Sequence, residues 1–447
     1  MKKQIIKAIF TYLILVTVIL LCVACNKGGD EIESTDAPTE SVADLEETTE
    51  PPLVVAEPEF LATPDYTYLC QDDSVLNTYN EKTVDDFDSV YVYYSYLGYE
   101  SYSQSRKNGS EFATLVNGTK MTHIYYLADR GELNVVTSDT AGASLPPKTP
   151  ESVDGEHEVT VTQLRDDFNV NGMGYIIRLA DGSYIIYDGA YESQTSKIMQ
   201  YLNLTSGNND IVIRAWVLTH SHEDHYPAFR EFASRYATRV KLEYVIFAPI
   251  DAESAIATGG DTYFNDGLAE DIAKFKGAKT VFAHTGMEFT FCNLKMEVLL
   301  TADDLFKTYG HGMNFNNTSI VTRLYDENYS FLLTADTAIL GSEWLVSVYG
   351  DYLKSDMCQV SHHGVEDVPV EFYDVVKAPI LYYPCNQYLY DLDWRFGDVR
   401  AALREREYTK EILIAGLDRF TRAWGTTFDA DAELSMPKYT PTVTDVE

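Results

Sequence analysis

The sequence predicts an α/β protein. A C-terminal body of interleaved strands and helices follows a small β-rich or α+β domain and a disordered acidic linker. Three observations carry this prediction. From about residue 155 to 425, apolar runs of strand length alternate with helical patterns. Within that region an apolar hairpin ending in an aspartate occurs twice, so it reads as two similar halves. Ahead of it, residues 28–80 hold no lysine or arginine while acidic, threonine and proline residues accumulate. At 447 residues the chain is too long for one ordinary domain.

The elements follow in order. Lys2, Lys3 and Lys7 precede an uncharged, mostly apolar run that ends at Ala24-Cys25. This is the pattern of a secretory signal over residues 1–25. It is similar to a bacterial lipobox with Cys25 as the acylated residue, although Cys22 stands where leucine is usual. The alternative is an uncleaved anchor of about 18 residues, barely long enough to span a bilayer. Either way the lysines stay inside and the remainder lies beyond the membrane. Residues 26–60 are too polar and acidic to fold alone and read as an extended stalk. Residues 61–150 form the small domain, with strands expected at "SVYVYYSYLGY", "THIYYLA" and "ELNVVTS". The six tyrosines from Tyr91 to Tyr102 are either strand packing or a binding surface. "SLPPKTPESVDG" marks the boundary with a domain at 151–430, and 431–447 is a tail.

In the larger domain, "YIIRLADGSYIIYDG" is a hairpin turning at Asp181-Gly182 and ending at Asp188. A helix at "KIMQYLNL" and a strand at "DIVIRAWVL" lead into "THSHEDHY", after which Pro227 suits a helix start. "SIVTRLYDENYSFLLTADT" is a second hairpin running to Asp336, and "CQVSHHG" is a strand ending in two histidines. Polar clusters thus fall just past strand ends, where loops over a rigid sheet carry chemistry.

"THSHEDHY" takes three of the nine histidines. His220 and His222 are two apart, so in an extended segment both imidazoles point to one side. Asp224 and His225 follow as the chain turns. Imidazole with carboxylate suits zinc, manganese or iron, and two ligand groups on adjacent turns suit a pair of ions about 3.5–4 Å apart. Glu223 reads as solvated.

The order His220-x-His222-x-Asp224-His225, with Asp188, Asp336 and "SHHG", resembles the metallo-β-lactamase-fold hydrolases over roughly residues 155–425. "NNTSIVTRLYDENYSFLLTADT…VSHHG" looks most like the branch typified by the ComEC DNA-uptake domain and teichoic-acid phosphorylcholine esterases. The resemblance implies an αββα sandwich holding one or two divalent ions, zinc or manganese. His220, His222, Asp224, His225, Asp336 and one histidine of "SHHG" would be ligands, with Asp336 bridging and Asp188 supporting. The family's ligand usually precedes a glycine, which favours His363 and leaves His362 to substrate or proton transfer. There are departures. Tyr226-Pro227-Ala228 stands where a Gly-Gly pair is common. The usual middle histidine has no clear counterpart: His284 and His311 match by position only, and Asn314, Asn316 or Asn317 could stand there. The set implied for catalysis or for supporting the ligands is His362, Asp188, Asn317 and Asn386, with no histidine after Asn386 and Tyr388 or Tyr390 as substitutes.

Metal-activated hydroxide would then attack a phosphodiester or related ester. A lactonase or carboxylic-ester hydrolase on the same fold is the alternative enzyme, and a non-enzymatic surface binder the alternative class. With 34 Lys+Arg against 69 Asp+Glu, net −35, long nucleic acid is an unfavourable partner. A small molecule or cell-wall polymer fits better, with the membrane engaged only through the lipid anchor. Cys70, Cys292, Cys358 and Cys385 show no metal-ligand spacing, and either disulfides or buried thiols suit them.

Overall fold

The computed structural model describes residues 55–423 apart from 71–72, 149–156, 165–170, 208, 249, 311–312, 366–367 and 416–419. Cys25 and His311 lie outside the described residues. Among the described residues no helix is long and apolar enough to cross a membrane.

Six strands form the first sheet: β1 (Tyr66–Leu69), β2 (Val75–Tyr79), β3 (Glu100–Lys107), β4 (Ser110–Asn117), β5 (Lys120–Leu127) and β6 (Glu132–Ser138). Their order is β1-β2-β6-β5-β4-β3, antiparallel throughout. The tyrosine run expected as a strand is instead a helix, Val84–Tyr96. Its start explains the difference. Thr83 and Asp86 form a reciprocal capping box, and Phe87 and Val90, three apart, are its buried residues. They pack on Tyr79, Ala113, Leu115, Ile124, Leu133 and Val135 from one face of the sheet. Alternate residues Phe112, Tyr125 and Val136 face the other way and join the main core. Both faces of this sheet are therefore covered.

The second sheet contains β7 (Thr160–Gln163), β8 (Gly174–Arg178), β9 (Tyr184–Asp188), β10 (Val212–Val217), β11 (Lys241–Phe247) and β12 (Lys279–Phe282). The third contains β13 (Glu288–Phe291), β14 (Leu294–Leu300), β15 (Val321–Tyr325), β16 (Ser330–Leu333), β17 (Met357–Gln359), β18 (Ile380–Tyr383) and β19 (Glu411–Ile414). The chain then returns as β20 (Phe420–Ala423), antiparallel to β7 at the edge of the second sheet. Each sheet joins a parallel run, β9 to β12 or β16 to β19, to an antiparallel run. Strands β8, β9 and β18 are buried almost without alternation, as strands covered on both faces must be. The two sheets face each other: Tyr187 Oη lies 2.9 Å from Thr322 Oγ1, and the Tyr175 ring meets Phe331 edge-on at 5.6 Å. With helices outside, this is the expected αββα sandwich. The hairpins turning at Asp181-Gly182 and at Asp326–Asn328 are present as β8-β9 and β15-β16.

Polar pairs lock the small sheet to the sandwich. Lys107 Nζ reaches Glu288 at 2.6 Å and Glu297 at 3.2 Å. Tyr125 donates to Asp304 at 3.1 Å. His123 lies fully buried in β5, with Nε2 2.9 Å from the Thr285 carbonyl and Nδ1 2.9 Å from Thr114 Oγ1. A carbonyl only accepts, so Nε2 carries the proton and Nδ1 accepts from the threonine. Burial pushes the His123 pKa down to about 3, although the Thr285 contact opposes it. Below pH 6.5 the unfolded chain takes a proton here that the folded chain refuses. The contribution of His123 to stability should therefore rise with pH from about 3 to 6.5, by up to about 1.4 kcal/mol per unit, and be constant above. Urea unfolding at stepped pH should show this slope in the difference between the parent chain and His123→Gln.

Candidate metal centre

Every predicted ligand is carried to one end of the sandwich by a strand end. Asp188 closes β9, His220 to His225 follow β10, Asp336 follows β16, and His362 and His363 follow β17. The turns are tight. Of ten non-glycine residues with positive φ among those described, Asp188, Ala190, Ala335, His362 and His363 lie on these segments. Such concentration of unfavourable backbone marks a site held in place by its surroundings.

Asp336 is at the centre. Its Oδ2 lies 3.2 Å from Nε2 of His225, 3.4 Å from that of His363 and 3.9 Å from those of His220 and His362. Two ligand-competent groups share it: Asp224, His225, Asp336 and His363 on one side, and His220, His222 and Asp336 on the other. His363 Nε2 is 3.1 Å from Asp224 Oδ2, and His220 Nε2 is 3.0 Å from His222 Nδ1.

The ring orientations are set from behind. Asp188 is buried and accepts from Thr219 N at 2.8 Å, Thr219 Oγ1 at 2.7 Å and His225 Nδ1 at 2.8 Å. His363 Nδ1 donates to the Pro384 carbonyl at 2.7 Å. With Nδ1 committed, each ring turns Nε2 toward the centre. Those two Nε2 atoms and Asp336 Oδ1 are buried without a hydrogen bond. Such atoms are costly unless something else binds them. A divalent cation fits this donor set, and the electrostatics agree. Burial opposes charge on His363, yet Asp336 and Asp224 push its pKa up to about 10. Burial likewise opposes charge on His225, and Asp336, Asp188 and Asp224 still raise it well above the ordinary histidine value. The pocket is anionic enough to draw in positive charge.

Residues 169–377 match the Metallo-beta-lactamase superfamily. The chain carries a metallo-β-lactamase domain. That superfamily consists mostly of metal-dependent hydrolases. Among solved structures, the chain is similar to the metallo-β-lactamase fold protein YhfI from Bacillus subtilis. Identity is 13%, covering 59% of this chain and 99% of that one, with a TM-score of 0.37. It is also similar to CmlA, a diiron β-hydroxylase from Streptomyces venezuelae, at 13% identity, 60% and 46% coverage and a TM-score of 0.32. A class B3 di-zinc metallo-β-lactamase from an Alaskan soil metagenome gives 16% identity, 38% and 58% coverage and a TM-score of 0.24. No curated protein matches the chain.

Within the metallo-β-lactamase domain some expected positions are filled differently. Asn317 does not face the centre: its Oδ1 accepts from Ala338 N at 3.2 Å and Gly341 N at 3.0 Å, fixing the start of the helix Ile339–Tyr349. Its neighbour Asn316 does, with Nδ2 3.0 Å from His362 Nε2 and a buried, unpartnered Oδ1. Asn386 caps the turn Gln387–Tyr390, accepting from Leu389 N at 2.8 Å, so it supports the loop that carries Pro384. His284 lies past β12 against Asp303, outside both ligand groups. No histidine among the described residues fills the middle position. Phe315 packs on the first two histidine rings, with centroids 4.6 Å from His222 and 5.8 Å from His220. Tyr388 is exposed, while Tyr390 is buried against Tyr383. Glu223 is exposed, as expected.

Tyr226, the first departure from the family pattern, donates to Asp261 Oδ2 at 2.7 Å and stacks on Tyr263 at 4.1 Å. It ties the signature loop to residues 261–263, a contact that no local spacing announces. Pro227 still opens the helix Pro227–Tyr236.

Asp188→Asn keeps an acceptor for Thr219 and loses the one that orients His225. It should weaken divalent-ion affinity by about 10–100-fold, measurable by chelator competition.

Proposed function

We propose that the chain is a metal-dependent hydrolase of phosphodiesters or related esters. It would be lipid-anchored through Cys25 at the outer face of the bacterial cytoplasmic membrane. The observation that carries the reading is Asp336 Oδ2, shared by two ligand groups and central to four imidazoles. His220 and His222 would hold one ion, and Asp224, His225 and His363 the other. When bound, such ions acidify water and offset charge developing on the attacked group.

The remaining work falls to the chain's own residues. Asp188 and the Pro384 carbonyl hold His225 and His363 rigid, so little reorganisation is needed during reaction. His362 has a side chain 19% exposed against 1% for His363 beside it, and Asn316 holds its Nε2. An amide Nδ2 only donates, so Nε2 accepts from it and the ring proton sits on Nδ1, from which it can pass to a leaving oxygen. Asn316 Oδ1 offers a free acceptor for water or a substrate hydroxyl. The net charge of −35 favours a small-molecule or cell-wall-polymer substrate over long nucleic acid.

The test uses the full chain with Mn²⁺ or Zn²⁺, assaying bis-p-nitrophenyl phosphate beside a lactone and a carboxylic ester. The expected result is phosphodiester turnover that a chelator removes and added metal restores. Metal-replete protein that turns over only the lactone or ester would replace the substrate class, and no turnover at all would favour a binding protein. Cys25→Ala should move the chain from the membrane fraction to the soluble fraction.

A further inference from the structure

A second group of metal-type ligands lies at the junction between the small sheet and the sandwich. Cys70 follows β1, His284 follows β12, and Asp303 sits in the first turn of the helix Ala302–Tyr309. One ligand atom from each falls within 4.8 Å of the others. None of the three belongs to the centre around Asp336. His284 and Asp303 are buried, and Cys70 is half-buried. We propose that Cys70, His284 and Asp303 bind a zinc ion that fastens the small sheet to the sandwich.

The donor chemistry and geometry both favour zinc. Thiolate, imidazole and carboxylate are its common protein ligands, and bonds of about 2.0–2.3 Å set tetrahedral ligand–ligand edges near 3.3–3.8 Å. His284 Nδ1 already stands 3.1 Å from Asp303 Oδ2. The three atoms thus nearly span one face of a tetrahedron, and a contraction of no more than about 1.5 Å closes it. On binding, the Cys70 thiol gives its proton to solvent. Thiolate, carboxylate and neutral imidazole then balance the dication, leaving a neutral site suited to burial.

Another observation points to the same place. Tyr66, Tyr68 and Cys70 lie on one face of the extended chain, being two residues apart. Tyr68 Oη is buried with no hydrogen-bond partner. It supplies an oxygen for the fourth position, directly or through a water. Ser74 Oγ, 3.4 Å from His284 Nε2, steadies the ring from its other nitrogen.

The site is independent of hydrolysis, and so is its test. The full chain, thiols kept reduced, is loaded with Co²⁺ and its near-ultraviolet spectrum recorded. The centre around Asp336 contains no sulfur, so a thiolate-to-cobalt charge-transfer band reports Cys70. The expected result is a band that persists in Asp336→Ala and disappears in Cys70→Ser. Zinc-loaded Cys70→Ser should hold one equivalent less than the parent chain. If Cys70→Ser misfolds by circular dichroism, Asp303→Asn serves instead and should lower the zinc stoichiometry by the same equivalent. Absence of the band in the parent chain would overturn the proposal. So would a band surviving Cys70→Ser, which would belong to another of the chain's six cysteines.

Discussion

Asp336→Ala should lower kcat/KM for bis-p-nitrophenyl phosphate at least about a thousandfold, equivalent to about 4 kcal/mol of transition-state stabilisation. Metal content should fall with it. The carboxylate is 1% exposed, and its Oδ2 faces four imidazole nitrogens. No other carboxylate belongs to both ligand groups. Removal leaves His220 and His222 without an anionic partner and opens the Asp224 side. Asp336→Asn keeps the shape and halves the question: if charge matters, it fails almost as badly. Steady-state kinetics and metal analysis on the same preparations check this. Activity within tenfold of the parent would mean the reaction occurs elsewhere.

Glu297→Ala should destabilise the fold by about 3–5 kcal/mol, because it strands buried cations. Glu297 on β14 is fully buried between Arg323 Nε at 2.6 Å and Lys107 Nζ at 3.2 Å, and it accepts from Tyr352 Oη at 2.9 Å. Lys107 belongs to the small sheet and is itself 1% exposed, so the loss is felt on both sides of the junction. Glu297→Gln should cost less, since the amide oxygen still accepts. Urea unfolding monitored by circular dichroism measures both. A loss under about 1 kcal/mol for the alanine variant would show that Glu288 and the Tyr352 and Lys354 carbonyls satisfy the cations unaided.

Local signals in the sequence revealed the sandwich and the centre because both are written in short-range pattern. The turn at Asp181-Gly182, the closely spaced histidines after β10 and the aspartate after β16 can each be read within a window of ten residues. The tyrosine run was misleading because its β-forming side chains outweigh a helical spacing that Thr83 and Asp86 start. Phe87, Val90, Tyr91 and Tyr94 were the better guide. Asn317 and Asn316 could not be separated, since a residue in a short helical turn changes face with each step. Contacts spanning hundreds of residues leave no such trace. Lys107 with Glu297, and Cys70 with His284, join segments that sequence spacing does not link.

The small sheet is made first but covered late. When β1 to β6 leave the ribosome, the helix Val84–Tyr96 can cover one face at once. The face bearing Phe112, Tyr125 and Val136 has nothing to lie against until β12 to β14 are synthesised, more than a hundred residues later. Phe112 even packs into a gap that exists only because Gly286 has no side chain. Throughout that interval the nascent chain displays an apolar surface edged by β3, an outer strand with unpaired backbone groups. Assistance during folding would be needed most in this window, before Asp336 and His363 have been added to the candidate metal centre.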